Sequence, residues 1–292
     1  MRINTNVSSL VAQEANTNTS MNIQSSLEKL STGLKINKAA DDASGLAIAD
    51  KLRTHATALN QAVSNGNSAA TLTQIADKAL DEESKILDVI KQKLLRASTA
   101  TTSAEGVKSI SKDINKLLDQ INNIANQTSY NGTDLLQGAS AGEGSSQLDF
   151  QMGATATDLI SLDSGIQANT TGLDGMSALK ASAVGSFGAT SATTAGSAQK
   201  AARSHIANID TALNTLNGWR ADIGSTQNQL ESGVRNLMTQ VTNTKAAESV
   251  IRDVDYAAES ANFNRQNIIS QAGTYAMSQA NAASQNVLRL LQ

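Results

Sequence analysis

The sequence predicts a mainly α fold: a long, rod-shaped, antiparallel helical coiled-coil bundle with paired termini and one small β-hairpin. Three observations predict it. None of the 292 residues is proline, where average usage near 5% would supply about fifteen, and proline is the residue that removes a backbone donor and kinks a helix interior. Apolar residues recur at steps of three and four along both ends of the chain, in stripes narrow enough for lengthwise helix pairing. Aromatic residues make up 2% of the chain and none precedes Tyr130, so the first half packs with small aliphatic side chains that suit close helix contact.

At the amino end, Ile3, Val7 and Leu10, then Ile23, Leu27, Leu30 and Leu34, form a helical stripe, continued less apolarly by Glu14, Thr17 and Met21. Gly33 and the polar stretch Asn37 to Asp42 mark a bend. A second helix is expected from about Ala43 to Ala97, with Ala69, Leu72, Ile75, Ala79, Ile86, Val89, Ile90 and Leu94 as its apolar face, closed by Thr99 to Ser103 and Gly106. Ile110, Ile114, Leu117, Ile121 and Ile124 define a third. Glycine then becomes frequent from Gly138 to Gly196, which disfavours sustained helix. Within that region Gln147 to Gln151 and Asp158 to Leu162 alternate apolar and polar residues, the pattern of a short hairpin. Ser177 to Ser197, rich in Ala, Ser, Thr and Gly, is expected to be an exposed loop.

Helical phase returns in Ile209, Leu213, Leu216, Arg220, Ile223, Gln227, Leu230, Val234, Leu237 and Val241, a heptad seam with Arg220 and Gln227 as polar members. The segment from Ser260 to Gln292 contains no acidic residue, and its stripe of Ile269, Ala272, Ala276, Ala280, Ala283, Val287 and Leu290 is mostly alanine. Such an end needs a partner, and the helix at the other end of the chain is the natural one. Two weakly apolar ends bury too little to offset the roughly 1–2 kcal/mol per residue of backbone ordering. They are therefore expected to be loose alone and covered when many copies repeat one non-closing contact, which generates a helical polymer.

The remaining composition excludes other classes. A net charge of −3 and pI near 5.4 give no electrostatic footprint for nucleic acid or an anionic membrane surface. No apolar run reaches the roughly 18–20 residues of a membrane span, and the amino end lacks the apolar core of a secretory signal peptide. Cysteine is absent, which removes disulfides and thiolate metal sites. His55 and His205 lie far apart with no HExxH spacing, and the serines have no evident histidine partner. Asp41 with Asp42, and Asp81 with Glu82 and Glu83, read as helix-start charges or a solvated helix face. Gly142 to Ser146 lacks the lysine of a phosphate loop. Trp219 reads as a packing residue. The chain is expected to have no catalytic site, no metal and no cofactor.

Three motifs carry a resemblance. QSSLEKLSTGLKINKAADDASGLAIADKLR, Gln24 to Arg53, resembles the amino-terminal signature of bacterial flagellin; QNIISQAGTYAMSQANAASQNVLRLL, Gln266 to Leu291, resembles its carboxy-terminal partner; and SYNGTDLLQG, Ser129 to Gly138, precedes the hairpin as in that family. The resemblance covers about the first 135 and the last 90 residues. It implies a filament subunit for swimming, with residues 1–42 and 257–292 forming the inner coiled-coil tube. Residues 43–176 and 198–256 would form a rod-like outer layer with the hairpin near 147–162, and residues 177–197 a short loop in place of variable outer domains, with room for O-linked sugars. It also implies polymerisation with itself, extracellular placement after type III export without signal cleavage, and contact with a hook-filament junction protein, a filament cap and a flagellar export chaperone. The junction protein shares the terminal pattern and is the alternative reading; a secreted coiled-coil adhesin or effector is a remoter one.

Two departures from the family stand out. Ser284 occupies the place where members often carry a proline before the last QNV triplet, which implies a straighter end to the last helix. Flagellins seen by Toll-like receptor 5 carry a stretch resembling LQRVRELAVQ; here LDVIKQKLLR, with Leu87, Asp88, Val89, Ile90, Lys91, Leu94 and Arg96, places Val89 where the central arginine would stand. This implies weak or absent receptor activation, as in flagellins of the Campylobacter and Helicobacter type.

Overall fold

The computed structural model describes residues 6–137, 148–162, 166–185 and 195–290. In chain order its elements are α1 (Val7–Thr32), α2 (Ala43–Ala97), α3 (Ala104–Gln127), β1 (Ser129–Tyr130), β2 (Thr133–Asp134), β3 (Leu148–Gln151), β4 (Leu159–Leu162), α4 (Met176–Gly185), α5 (Ala195–Arg252) and α6 (Tyr256–Leu290). They form two compact units: Met1–Thr57 with Gln240–Gln292, and Ala58–Thr239. Both divisions fall inside continuous helices. The fold is mainly helical with a small antiparallel hairpin, as the sequence predicts.

In the central unit, one side of α2 is buried at Ala62, Gly66, Ala69, Thr73, Ala76, Leu80, Glu83, Leu87, Ile90, Leu94 and Ala97, unbroken steps of four and three. The expected face was therefore rotated in part: Ile75 is 38% and Val89 40% exposed, while Thr73 and Glu83 are fully buried. A reading that follows the largest apolar side chains is drawn off a seam that runs through alanine and two polar residues. Helix α3 answers with Val107, Ser111, Ile114, Leu118, Ile121 and Ala125, and its first turn is capped by Ser103, whose Oγ accepts from the Gly106 N–H at 3.2 Å. Helix α5 buries Ile209, Leu216, Ile223, Leu230 and Leu237 at steps of seven. Between them Ala212 and Thr226 are buried and Leu213, Arg220 and Gln227 only half-buried. Arg220 instead reaches Asp77 (3.0 Å) and Asp81 (3.1 Å) on α2.

The two expected strands pair in register, Leu148 with Leu162 and Gln151 with Leu159. The hairpin docks where two glycines leave room: Met152 is buried, and a Cβ built on Gly66 would lie 2.8 Å from its Cε, one on Gly233 3.0 Å. Asn65 Nδ2 adds a bond to the Gln151 carbonyl at 3.3 Å. A second ribbon joins β1 to β2 through Asn131 and Gly132, both at positive φ (50° and 83°), the backbone of a tight primed turn.

Two expectations fail in the centre. Ser177 to Gly185 is helix, not exposed loop, and α5 begins already at Ala195; residues 186–194 lie outside the described part. Met176, Leu179 and Ala183 stand at helical steps and are buried, while Lys180 pairs with Asp119 of α3 at 2.9 Å and the Ser111 hydroxyl donates to the Ala183 carbonyl. Composition concealed a short apolar stripe. Nor is histidine without a serine: Ser182 Oγ lies 2.6 Å from His205 Nε2, and Asn208 Nδ2 lies 3.2 Å from Nδ1. Ser182 gives its proton to the Leu179 carbonyl at 3.2 Å, so Nε2 donates to the hydroxyl and Nδ1 accepts from the amide. Burial lowers the ring's pKa. This neutral network ties α4 to α5, and its serine is a proton donor to backbone rather than an activated nucleophile.

Candidate self-assembly surface

The terminal unit is a helical hairpin with a built base. Asn6 caps α1 by accepting from the Ser9 N–H at 3.2 Å, and Gly33 ends it in the left-handed conformation, φ 74°, with its N–H on the Lys29 carbonyl. A side chain at Gly33 would also meet the Tyr256 hydroxyl, 2.8 Å from an added Cβ. Beyond it Leu34 and Asp253 form an antiparallel bridge, in which Lys35 N donates to Arg252 O at 2.6 Å and Val254 N to Gly33 O at 3.0 Å. Asp42 accepts from Ser44 and Gly45 at the start of α2, and Asp255 from Ala257 and Ala258 at the start of α6, so Asp42 serves a helix start while Asp41 ties the loop before it. Two backbone N–H groups, those of Lys38 and Asn37, hold the Asp41 carboxyl below its ordinary pKa.

From that base α1 and α6 run antiparallel. Ser26 meets Glu259, Asn16 meets Ser270 at 3.4 Å and Asn6 meets the Ala280 carbonyl at 3.1 Å. Ten residues back along α1 match ten or eleven forward along α6. The inward positions of α1 are Asn6, Ser9, Ala12, Asn16, Thr19, Ile23, Ser26 and Leu30, again at steps of three and four.

That seam is not the expected one. Of the α1 stripe, Ile23, Leu30 and Leu34 are half-buried, but Val7 (63%), Leu10 (54%) and Leu27 (56%) face outward, with Val11 and Met21 beside them. On α6, Ile269 is 46% exposed and Ala272, Ala276 and Ala283 are exposed, Ala280 being half-buried. Ile3 and the side chains of Val287 and Leu290 lie outside the described residues. Polar and small residues close the hairpin, and the larger apolar ones expected at the inner tube remain uncovered in the single chain. Asn6, Asn16, Thr19, Ser26, Glu259, Asn262 and Ser270 were missed. Their signal was present as a second three-four repeat, which a search for apolar residues alone passes over.

The stretch Leu87 to Arg96 divides in two. Leu87, Ile90 and Leu94 are fully buried and belong to the core, Lys91 is paired with Asp210 of α5, and Asp88, Val89 and Arg96 are exposed. Among the described residues no helix is long and apolar enough to cross a membrane.

Paired ends that close on polar side chains and turn apolar ones to solvent give the terminal unit an uncovered apolar surface in the single chain. Residues 3–141 match the bacterial flagellin N-terminal helical region, and residues 206–291 the bacterial flagellin C-terminal helical region. The chain is 37% identical over 304 residues to flagellin of Bacillus subtilis (strain 168) and 35% identical over 292 residues to the flagellar filament 33 kDa core protein of Treponema phagedenis, covering 100% of both partners in each case. A solved Vibrio parahaemolyticus protein described as flagellar hook-associated aligns over 73% of this chain and 99% of its own with a TM-score of 0.59 at 16% identity, a likeness of fold alone. The chain belongs to the bacterial flagellin family.

Proposed function

We infer that this chain is the structural subunit of a bacterial flagellar filament, polymerising with itself into the extracellular helical propeller for swimming. One observation carries the reading: the α1–α6 hairpin satisfies itself through polar contacts and leaves Val7, Leu10, Val11, Met21, Ile268 and Ile269 without cover in the single chain. Burying one such side chain contributes about 1.5–3 kcal/mol, which only neighbouring copies can supply along a whole filament. In that polymer residues 1–42 and 257–292 line the inner tube, residues 43–176 and 198–256 form the outer layer, and 177–197 stand where larger relatives insert outer domains. The chain does no catalysis. Its further partners are a junction protein, a cap and an export chaperone, reached through type III export.

The test is elongation from sheared filament seeds, followed by electron microscopy. The parent chain adds to seeds, whereas Val7→Asp with Leu10→Asp lowers elongation at least tenfold while leaving the central unit folded. Elongation of that variant at the parental rate refutes the reading. The subtype is also inferred: with Val89 rather than arginine at the surface, and Leu87, Ile90 and Leu94 committed to the core, the chain is of the receptor-evading Campylobacter and Helicobacter type. It leaves Toll-like receptor 5 reporter cells near baseline, and a dose response matching a strong agonist overturns this.

A further inference from the structure

The seam between α1 and α6 poses a problem of register. Its residues are mostly small or amide-bearing, Asn6, Ser9, Ala12, Asn16 and Thr19 on one side and Ser270, Gly273 and Ala280 on the other, with Ile23, Leu30, Phe263 and Met277 as the larger apolar members. Such a surface slides with little loss, because apolar knobs that would lock one alignment are few. The bridge between Leu34 and Asp253 is made by backbone, with Arg252 Nε on the Ile36 carbonyl at 3.4 Å, and the contacts beyond it must agree with the alignment set at that base. Yet every subunit of a helical polymer must present its outward stripe at the same height. A slip of one heptad displaces α1 along α6 by about 10 Å.

One polar cluster breaks the degeneracy. Glu259 is the only acidic residue of α6, and it stands on the inward side. Its Oε1 accepts the hydroxyl of Ser26, which is 3% exposed, and Asn262 Nδ2 lies 3.5 Å from the same oxygen and 3.4 Å from Ser26 Oγ. Along the seam positions of α1 no neighbouring alignment offers that carboxylate a free hydroxyl. Slips of three or four residues place it against Ile23 or Leu30. A heptad slip one way places it against Thr19, whose hydroxyl is already given to the Ala15 carbonyl at 2.8 Å; the other way it passes Gly33 and the end of the helix. Glu259 is half-buried, and losing its hydroxyl donor there forfeits a hydrogen bond to a charged group, so each wrong register is penalised at this position.

We propose that Glu259, positioned by Ser26 and Asn262, is the register-determining residue of the terminal hairpin and hence a specificity determinant of self-assembly. The proposal rests on the assembly reading above. It concerns which alignment is built, not whether the ends pair.

The chain has no cysteine, so engineered pairs report alignment cleanly. Asn16→Cys with Ser270→Cys reports the native register, and Asn16→Cys with Met277→Cys or with Phe263→Cys reports slipped ones. In the full chain, free and seeded, the native pair alone cross-links in the parent and in Glu259→Gln, whose amide oxygen still accepts from Ser26. Glu259→Ala shifts cross-linking to the slipped pairs and lowers seeded elongation about tenfold, with the thermal unfolding of the central unit unchanged. Native-only cross-linking in Glu259→Ala, or elongation within twofold of the parent, overturns the proposal. Failure of the parent itself to add to seeds refutes the assembly reading instead, and the cross-linking pattern still decides the register.

Discussion

Glu83 occupies a core step of α2 between Leu80 and Leu87, fully buried, with neither carboxyl oxygen hydrogen-bonded. Desolvation pushes its pKa from 4.5 up to about 9, so the folded chain holds a proton that the unfolded chain releases. A raised folded pKa contributes stability that is complete below the unfolded value and is lost as pH climbs toward the folded one; stability therefore falls between about pH 4.5 and 9, by at most about 1.4 kcal/mol per pH unit. Glu83→Leu removes both the titration and the unpartnered polar atoms. It is expected to raise stability at pH 8.5 by about 2–4 kcal/mol and to change it much less at pH 4.5, as urea unfolding at the two pH values would record. An equal gain at both places the effect in packing instead. From the sequence, Asp81, Glu82 and Glu83 read as one solvated cluster. Asp81 and Glu82 do bind Lys85 at the surface, but three consecutive residues fan over about 200° of a helix, and the core pattern of alanines that assigns Glu83 inward is weak as a hydropathy signal.

At the scale of elements, the β3–β4 hairpin is held by what two helices lack. A Cβ on Gly66 would stand 2.6 Å from Val234 Cγ2 and 2.8 Å from Met152 Cε, whereas one on Gly218 or Gly224 meets nothing within 4 Å. Alanine normally gains about 1 kcal/mol over glycine inside a helix, and overpacking a filled site costs about 1–3 kcal/mol. Gly66→Ala is accordingly expected to lower stability by about 1 kcal/mol and to expose the turn between β3 and β4 to protease, while Gly218→Ala raises stability. Chemical unfolding together with limited proteolysis distinguishes them, and parallel gains in both variants would show that the notch is not filled. The strands themselves were legible from alternation in Gln147 to Gln151 and Asp158 to Leu162. Their docking was not, because a glycine that admits a neighbour and a glycine facing solvent look alike in sequence. The Asn131-Gly132 ribbon is legible by turn chemistry.

At the scale of the molecule, the spans of the long helices were readable, that of α4 was not, and helix facing was not. The spans follow from uninterrupted periodicity and from caps such as Gly33 and Ser103, which are local. Facing depends on which of two repeats of equal period finds its partner within the same chain. Along α1 the apolar repeat through Val7 and Leu10 and the polar repeat through Asn6 and Asn16 advance together, so periodicity cannot separate an intramolecular contact from one reserved for another copy. The scarcity of charge in the last segment pointed to the pairing of the ends, and the hydrogen bonds from Ser26 to Glu259 and from Asn6 to Ala280 show which side makes it.

Trp219, the single tryptophan, packs half-buried against the central hydrophobic cluster. Indole emission consequently watches the central unit only. A fluorescence melt records the cooperative loss of α2, α3 and α5 packing and is blind to the terminal hairpin, so a sharp optical transition says nothing about whether the chain's ends were ordered beforehand.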